Sequence, residues 1–237
     1  MIAIFLLLTS IQVPFNHSVV AVNPKKNLME KLDPAVKEIV LKIDETNQNT
    51  QTIKADFVQK KELSMLAEPM TLSGEFYLKK GKGMKFNFDA PENLEIFFTQ
   101  KKIVSVSHNE KTASFKKLPK RKTDITQVLL SEKLDKLLEY FNLTKITGDT
   151  PEEVVLLLTP RKRKIKKKFK EIRIAFNKAY MVKRIAVLEV DNDRFEVTLS
   201  NIEVNSNLED ALFVPEIPEN YESGSKLNPI FGTQIGL

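Results

Sequence analysis

Residues 71–100 read TLSGEFYLKKGKGMKFNFDAPENLEIFFTQ, and the period of this stretch decides the fold. Leu72, Gly74, Phe76 and Leu78 alternate with Ser73, Glu75, Tyr77 and Lys79. Met84, Phe86 and Phe88 alternate with Lys85, Asn87 and Asp89, and Leu94, Ile96 and Phe98 with Glu95, Phe97 and Thr99. Successive side chains of a strand point to opposite faces, so period two predicts half-buried antiparallel strands. Gly81–Gly83 and Ala90-Pro91 supply the turns between them.

Working outward, Ile53, Ala55 and Phe57 carry the same alternation upstream, while Ile103–Val106 and Ala113–Leu118 extend the meander downstream. Ahead of it, Asp33-Pro34 predicts a helix start: Asp caps free N–H groups and Pro is tolerated at the first helical position. Ile39, Val40 and Ile43 then recur at helical spacing to about Gln51. Beyond the meander, Ile125, Val128, Leu129, Leu134, Leu137, Leu138 and Phe141 fall on one helical face after a cap at Thr123 or Asp124. A second strand set is expected near Leu143–Ile146, Val154–Thr159, Phe169–Phe176, Met181–Val190 and Phe195–Val204. The fold class is therefore α+β, with about eleven strands and two helical excursions. So large an antiparallel sheet curls strongly, and helices can cover its concave face.

The chain has 237 residues, 42% of them hydrophobic, with no Cys and two His. That excludes disulfides, Cys-ligated metals and thiol nucleophiles. The net charge of +6 comes from 37 Lys and Arg against 31 Asp and Glu, and it is local. Residues 161–170, RKRKIKKKFK, hold eight of those 37 cations and no carboxylate, leaving 29 against 31 elsewhere.

Residues 1–21, MIAIFLLLTSIQVPFNHSVVA, carry no formal charge. The apolar run from Ile2 to Leu8 is too short to span a bilayer, and Val19 and Ala21 fit a cleavage site, so the segment reads as a signal peptide. A secreted chain without Cys fits a bacterial periplasm. Residues 22–221 lack linkers and repeats and read as one domain, and residues 222–237 lose periodicity and read as a flexible tail.

Catalytic chemistry is sparse. His108 in SVSHNEK sits at an expected turn, and G-x-S-x-G, Walker, G-x-G-x-x-G and H-E-x-x-H patterns do not occur. Asp191-Asn192-Asp193 could offer oxygens to calcium, but between two strands it reads as a turn. No enzyme activity, metal or cofactor is expected. The alternating Phe residues have two readings: a packed core, the commoner use of such a stripe, or an apolar cavity for a lipid. The basic run reads as a solvated hairpin arm, a contact for anionic membrane or, least well, a nucleic-acid site. The Leu63–Met70 loop carries Leu63, Met65, Leu66 and Met70 and reads as either a fold over the sheet edge or an apolar lip.

The ordered set Ile53-Lys54-Ala55-Asp56-Phe57-Val58-Gln59, Leu72-Ser73-Gly74-Glu75-Phe76-Tyr77-Leu78-Lys79-Lys80, Met84-Lys85-Phe86-Asn87-Phe88-Asp89-Ala90-Pro91, Leu156-Leu157-Leu158-Thr159-Pro160-Arg161 and Phe213-Val214-Pro215 resembles the outer-membrane lipoprotein carrier (LolA-like) family. The resemblance runs from about residue 35 to 221. It implies an unclosed antiparallel barrel with a helical lid, whose interior shields lipoprotein acyl chains in transit across the periplasm. The partners it implies are acylated lipoproteins or lipid, an inner-membrane lipoprotein-releasing transporter and an outer-membrane acceptor. On that reading Phe57, Leu72, Phe76, Met84, Phe86, Phe88, Leu94, Ile96, Phe98 and Phe115 line the lipid site. Ile39, Val40, Ile43, Val128 and Leu129 belong to the lid, and Lys80, Arg161, Arg163 and Lys167 meet a partner or an anionic membrane. A monomer that binds no nucleic acid is expected; another amphiphile, such as a glycolipid, is the alternative cargo.

Overall fold

The computed structural model describes residues 28–64, 67–99, 102–117 and 134–224. The signal peptide, Val128 and Leu129 lie outside the described residues, as do Met65 and Leu66 of the apolar loop. The elements are α1 (Pro34–Asn49), β1 (Thr52–Glu62), β2 (Met70–Lys79), β3 (Gly83–Phe88), β4 (Leu94–Phe98), β5 (Lys102–Ser107) and β6 (Thr112–Lys117). A 3-10 turn (Leu134–Glu139) precedes β7 (Phe141–Thr147), β8 (Val154–Pro160), α2 (Arg163–Lys166), β9 (Phe169–Phe176), β10 (Val182–Glu189) and β11 (Arg194–Val204). A second 3-10 turn (Asp210–Phe213) leads to β12 (Glu222–Gly224).

Hydrogen bonding orders the strands β12-β6-β5-β4-β3-β2-β1-β11-β10-β9-β8-β7, an unclosed sheet of twelve. From β2 to β6 and from β7 to β11 each strand pairs antiparallel with the next. The strand beyond the expected eleven is β12, which pairs parallel with β6 inside the stretch read as a flexible tail.

The chain forms two compact units. The first draws on Met1–Asn49, Lys60–Met70 and Lys122–Thr198. Its helix α1 starts as the capping argument requires, with the Ala35 N–H donating to Asp33 Oδ1 at 2.9 Å. Val36, Ile39, Val40 and Ile43 form its buried stripe, and α1 packs on β7. Across β8 to β11 the register joins Leu156, Ile174, Ile185 and Val197 into one buried row. Phe141, expected on a helix, opens β7 instead and pairs with Pro160. Phe141 and Leu143 are buried on either side of an exposed Asn142, so period two wins there.

The second unit draws on Thr50–Gln59, Thr71–Arg121 and Leu199–Leu237 and contains the meander β2 to β6. Gly81, with φ of 77°, takes the left-handed conformation that the β2–β3 turn needs.

Candidate functional site: an aromatic sheet face

Within the second unit, register turns the sequence alternation into a continuous apolar face. Phe76 pairs with Phe86, which pairs with Ile96; Gly74 pairs with Phe88, which pairs with Leu94; Met84 pairs with Phe98. Leu72 shares that face of β2, and all these side chains are buried. Phe57 reaches them from β1. Its ring stands edge-on to Phe86 at 5.6 Å and to Phe88 at 5.0 Å. Phe86 also contacts Phe76 at 4.8 Å and Phe98 at 5.8 Å, so one ring touches at least three others. Edge-on packing at these distances sets the positive rim of one ring against the negative face of the next.

Gly74 makes the convergence possible. A Cβ there would stand 2.0 Å from the Asn87 carbonyl oxygen and 3.0 Å from Phe57 Cε1. The missing side chain is the space the Phe57 ring approaches.

Nine of the ten residues expected at a lipid site thus meet on one face, and Phe115 does not. It pairs with Val104, which pairs with Phe97 on the opposite face, and Phe115 is 48% exposed. A one-residue change of parity moves a side chain to the other side of a sheet. On that opposite face Phe97, Val104 and Val106 form a second small core against Tyr221. Ile103, outside the expected set, does join the aromatic face, pairing with Phe98. Ser105 and Ser107 are also buried there, opposite Ile96 and Leu94.

Of the expected lid residues, Ile39, Val40 and Ile43 are buried in α1, in the first unit. Of the expected contact residues, Lys80 lies in the second unit, where its N–H donates to the Gln51 carbonyl oxygen at 2.9 Å. Arg161, Arg163 and Lys167 lie in the first. Arg161 is spent on the fold: its Nη1 donates to the Leu138 carbonyl oxygen at 3.0 Å and its N–H to that of Tyr140 at 2.7 Å.

His108 is likewise engaged. Its Nδ1 lies 2.8 Å from the Tyr221 hydroxyl, and its Nε2 lies 3.6 Å from Glu95, which Lys85 holds at 2.6 Å. These contacts tie the segment before β12 to the sheet, and none of these four side chains belongs to the aromatic face.

Asp191-Asn192-Asp193 forms the β10–β11 turn, with Asn192 left-handed at φ 72°. Glu189, Asp191 and Asp193 place carboxylate oxygens within 4.8 Å of one another. Burial, then the charges of Asp191 and Asp193, push the Glu189 carboxyl up to about 7. Lys168 and Lys61 act in the other direction, so the protein's own ammonium groups already meet this acidic cluster. The β9–β11 face of the same unit bears a groove of about 300 Å³ lined by Lys60, Arg173 and Arg194 together with Glu62, Glu171 and Glu196. Its opposed charges match neither an acyl chain nor a simple anion.

The sequence pattern of the family described as "Outer membrane lipoprotein carrier protein LolA" matches residues 48–216 of this chain. The chain belongs to the LolA family. Among curated proteins none matches it. An uncharacterized conserved protein from Thermus thermophilus shares the fold with a TM-score of 0.51 at 12% identity, covering 81% of this chain and 99% of that one. LprF from Mycobacterium bovis is similar at TM-score 0.41 and 14% identity over 80% of this chain and 98% of its own. A LolA superfamily protein from Nitrosomonas europaea is similar at 0.40 and 10% over 76% and 97%. Proteins of the LolA family are lipid- or lipoprotein-binding carriers outside the cytoplasm. Among the described residues no helix is long and apolar enough to cross a membrane.

Proposed function

We propose that this LolA-family protein is a periplasmic carrier that shields the acyl chains of lipoproteins between the inner and outer membranes. The observation that carries the reading is the aromatic face: five Phe rings with Leu72, Met84, Leu94 and Ile96, and no charged side chain among them. Such a surface recognises a hydrocarbon chain by the area it removes from water. Each methylene contributes about 0.8 kcal/mol, so ten sheltered methylenes supply about 8 kcal/mol before ordering costs.

In the described state these rings are already 2% exposed or less and pack on one another. An acyl chain therefore replaces ring–ring contacts, and loading requires a displacement of what shields the rings. This suits a carrier. The empty state hides its own apolar surface, and a partner with differential affinity for the loaded and empty states can drive transfer. An inner-membrane lipoprotein-releasing transporter would load the protein and an outer-membrane acceptor would unload it.

Purification from the periplasm, followed by mass spectrometry of co-purifying material, tests this reading. Acylated protein bound to the wild type and absent from Phe86→Glu is the expected result. Free lipid or glycolipid alone would replace the lipoprotein cargo by another amphiphile, and an empty protein with function intact in Phe86→Glu would end the carrier reading.

A further inference from the structure

The excess positive charge of the chain occupies residues 161–170, and the structure shows how it is held. Instead of a free hairpin arm, the run folds into the single turn α2 between β8 and β9. Ile165 and Phe169, 2% and 1% exposed, pin that turn to the first unit. Around the buried Ile165, Lys162, Arg163, Lys166 and Lys167 are exposed.

These four cations are uncompensated. None of their side chains has an ion pair or hydrogen bond among the described residues. Elsewhere in the same unit Lys42 meets Glu38, Arg173 meets Glu171, Lys178 meets Glu152, Lys183 meets Glu153, and Arg184 meets Asp149 and Glu153. The β10–β11 turn engages only the far end of the run: Lys168 feels Glu189, and Lys170 Nζ donates to the amide oxygen Oδ1 of Asn192 at 2.5 Å. Moreover, the N–H groups of Lys166 and Lys167 donate to the carbonyl oxygens of Lys162 and Arg163, which stacks like charges four residues apart. Like charges at that spacing destabilise a helical turn. The buried Ile165 maintains an arrangement that the free protein gains nothing from.

We propose that this outward face of α2 docks the protein on an anionic phospholipid surface. Three of the four side chains are lysines, compact hydrated charges on flexible stems, which suit a fluid array of headgroups better than the planar, bidentate recognition arginine favours. The one aromatic of the run, Phe169, is buried, so it offers no stacking platform for nucleotide bases. The inference stands apart from the carrier reading, since it uses no residue of the aromatic face.

Co-sedimentation of the full chain with phosphatidylcholine–phosphatidylglycerol vesicles, against pure phosphatidylcholine vesicles, tests it. The apolar run Ile2–Leu8 carries no charge and contributes alike to both. Wild-type protein is expected to prefer the anionic vesicles, with the preference lost at high salt. At about fivefold per cation near such a surface, the K162Q/R163Q/K166Q/K167Q variant is expected to bind on the order of 100-fold or more weakly. The K168Q/K170Q variant, whose cations are already met, is expected to lose far less. Equal binding of the wild type to both vesicles, unchanged binding by the fourfold variant, or attachment only to an acidic protein would overturn the proposal. Acyl-peptide binding by the fourfold variant, measured alongside, shows that it is folded and separates this failure from failure of the carrier reading.

Discussion

Gly74 and Phe57 occupy each other's space: a Cβ built on the glycine would come within 3.0 Å of the phenylalanine ring and 2.0 Å of the Asn87 carbonyl oxygen. The strand pair β2–β3 and the approach of β1 therefore depend on one hydrogen atom where any other residue has a carbon. Gly74→Ala is expected to lower stability by about 2–3 kcal/mol through overpacking. Chemical denaturation checks it, and an unchanged midpoint would refute the close approach.

Phe86 and Phe115 lie on opposite faces of the same meander, and the difference is measurable. Phe86→Ala removes the ring that touches at least three others and is expected to cost about 3–5 kcal/mol. Phe115→Ala, at a 48% exposed position, is expected to stay within about 0.5 kcal/mol and to leave acyl-chain binding unchanged. Equal effects of the two substitutions would contradict the register.

This pair also shows how much of the fold and the site was legible beforehand. Leu72, Phe76, Met84, Phe86, Phe88, Leu94, Ile96 and Phe98 alternate with polar residues almost without interruption, so their common face could be read directly. Ile103–Val106 offers no comparable alternation, because β5 is buried on both faces. The parity of β5 is instead set at the β4–β5 connection, where Phe98 pairs with Ile103, and that of β6 by the His108–Lys111 turn, where Lys111 is left-handed at φ 50°; together they put Ile103 in the face and Phe115 out of it. Glu222–Gly224 was equally hidden: a three-residue strand has no period, and its pairing with Thr112–Ser114 is a long-range event. Ile165 was visible as an apolar residue inside a basic run, but only packing shows that it pins the turn.

Glu189 imposes a pH dependence whose sign follows from its surroundings. Its carboxyl titrates at about 7 in the folded protein against 4.5 ordinarily, so the native state holds the proton more tightly than the unfolded chain. The corresponding stability is fully present below pH 4.5 and is lost as the pH rises to about 7. Thermal unfolding of Glu189→Gln is expected to show a flatter profile across this window than the wild type. Parallel profiles would place the titration elsewhere.

His108 serves the fold through Tyr221, from which its Nδ1 is 2.8 Å away. His108→Ala is expected to cost about 1 kcal/mol and to speed amide hydrogen exchange at Glu222–Gly224, leaving the exchange of β2 and β3 unchanged. Acyl-chain binding should also be unchanged. A hydrolytic turnover abolished by this substitution would instead reassign the residue to catalysis.

The central claim, that the aromatic face shelters hydrocarbon, is tested most directly by calorimetric titration with one peptide carrying acyl chains of increasing length. The account predicts no binding of the unacylated peptide and a gain of about 0.8 kcal/mol per added methylene, roughly fourfold in affinity, until the face is filled. Phe86→Glu should abolish that gain. Affinity independent of chain length, or equal binding of the unacylated peptide, would contradict the account.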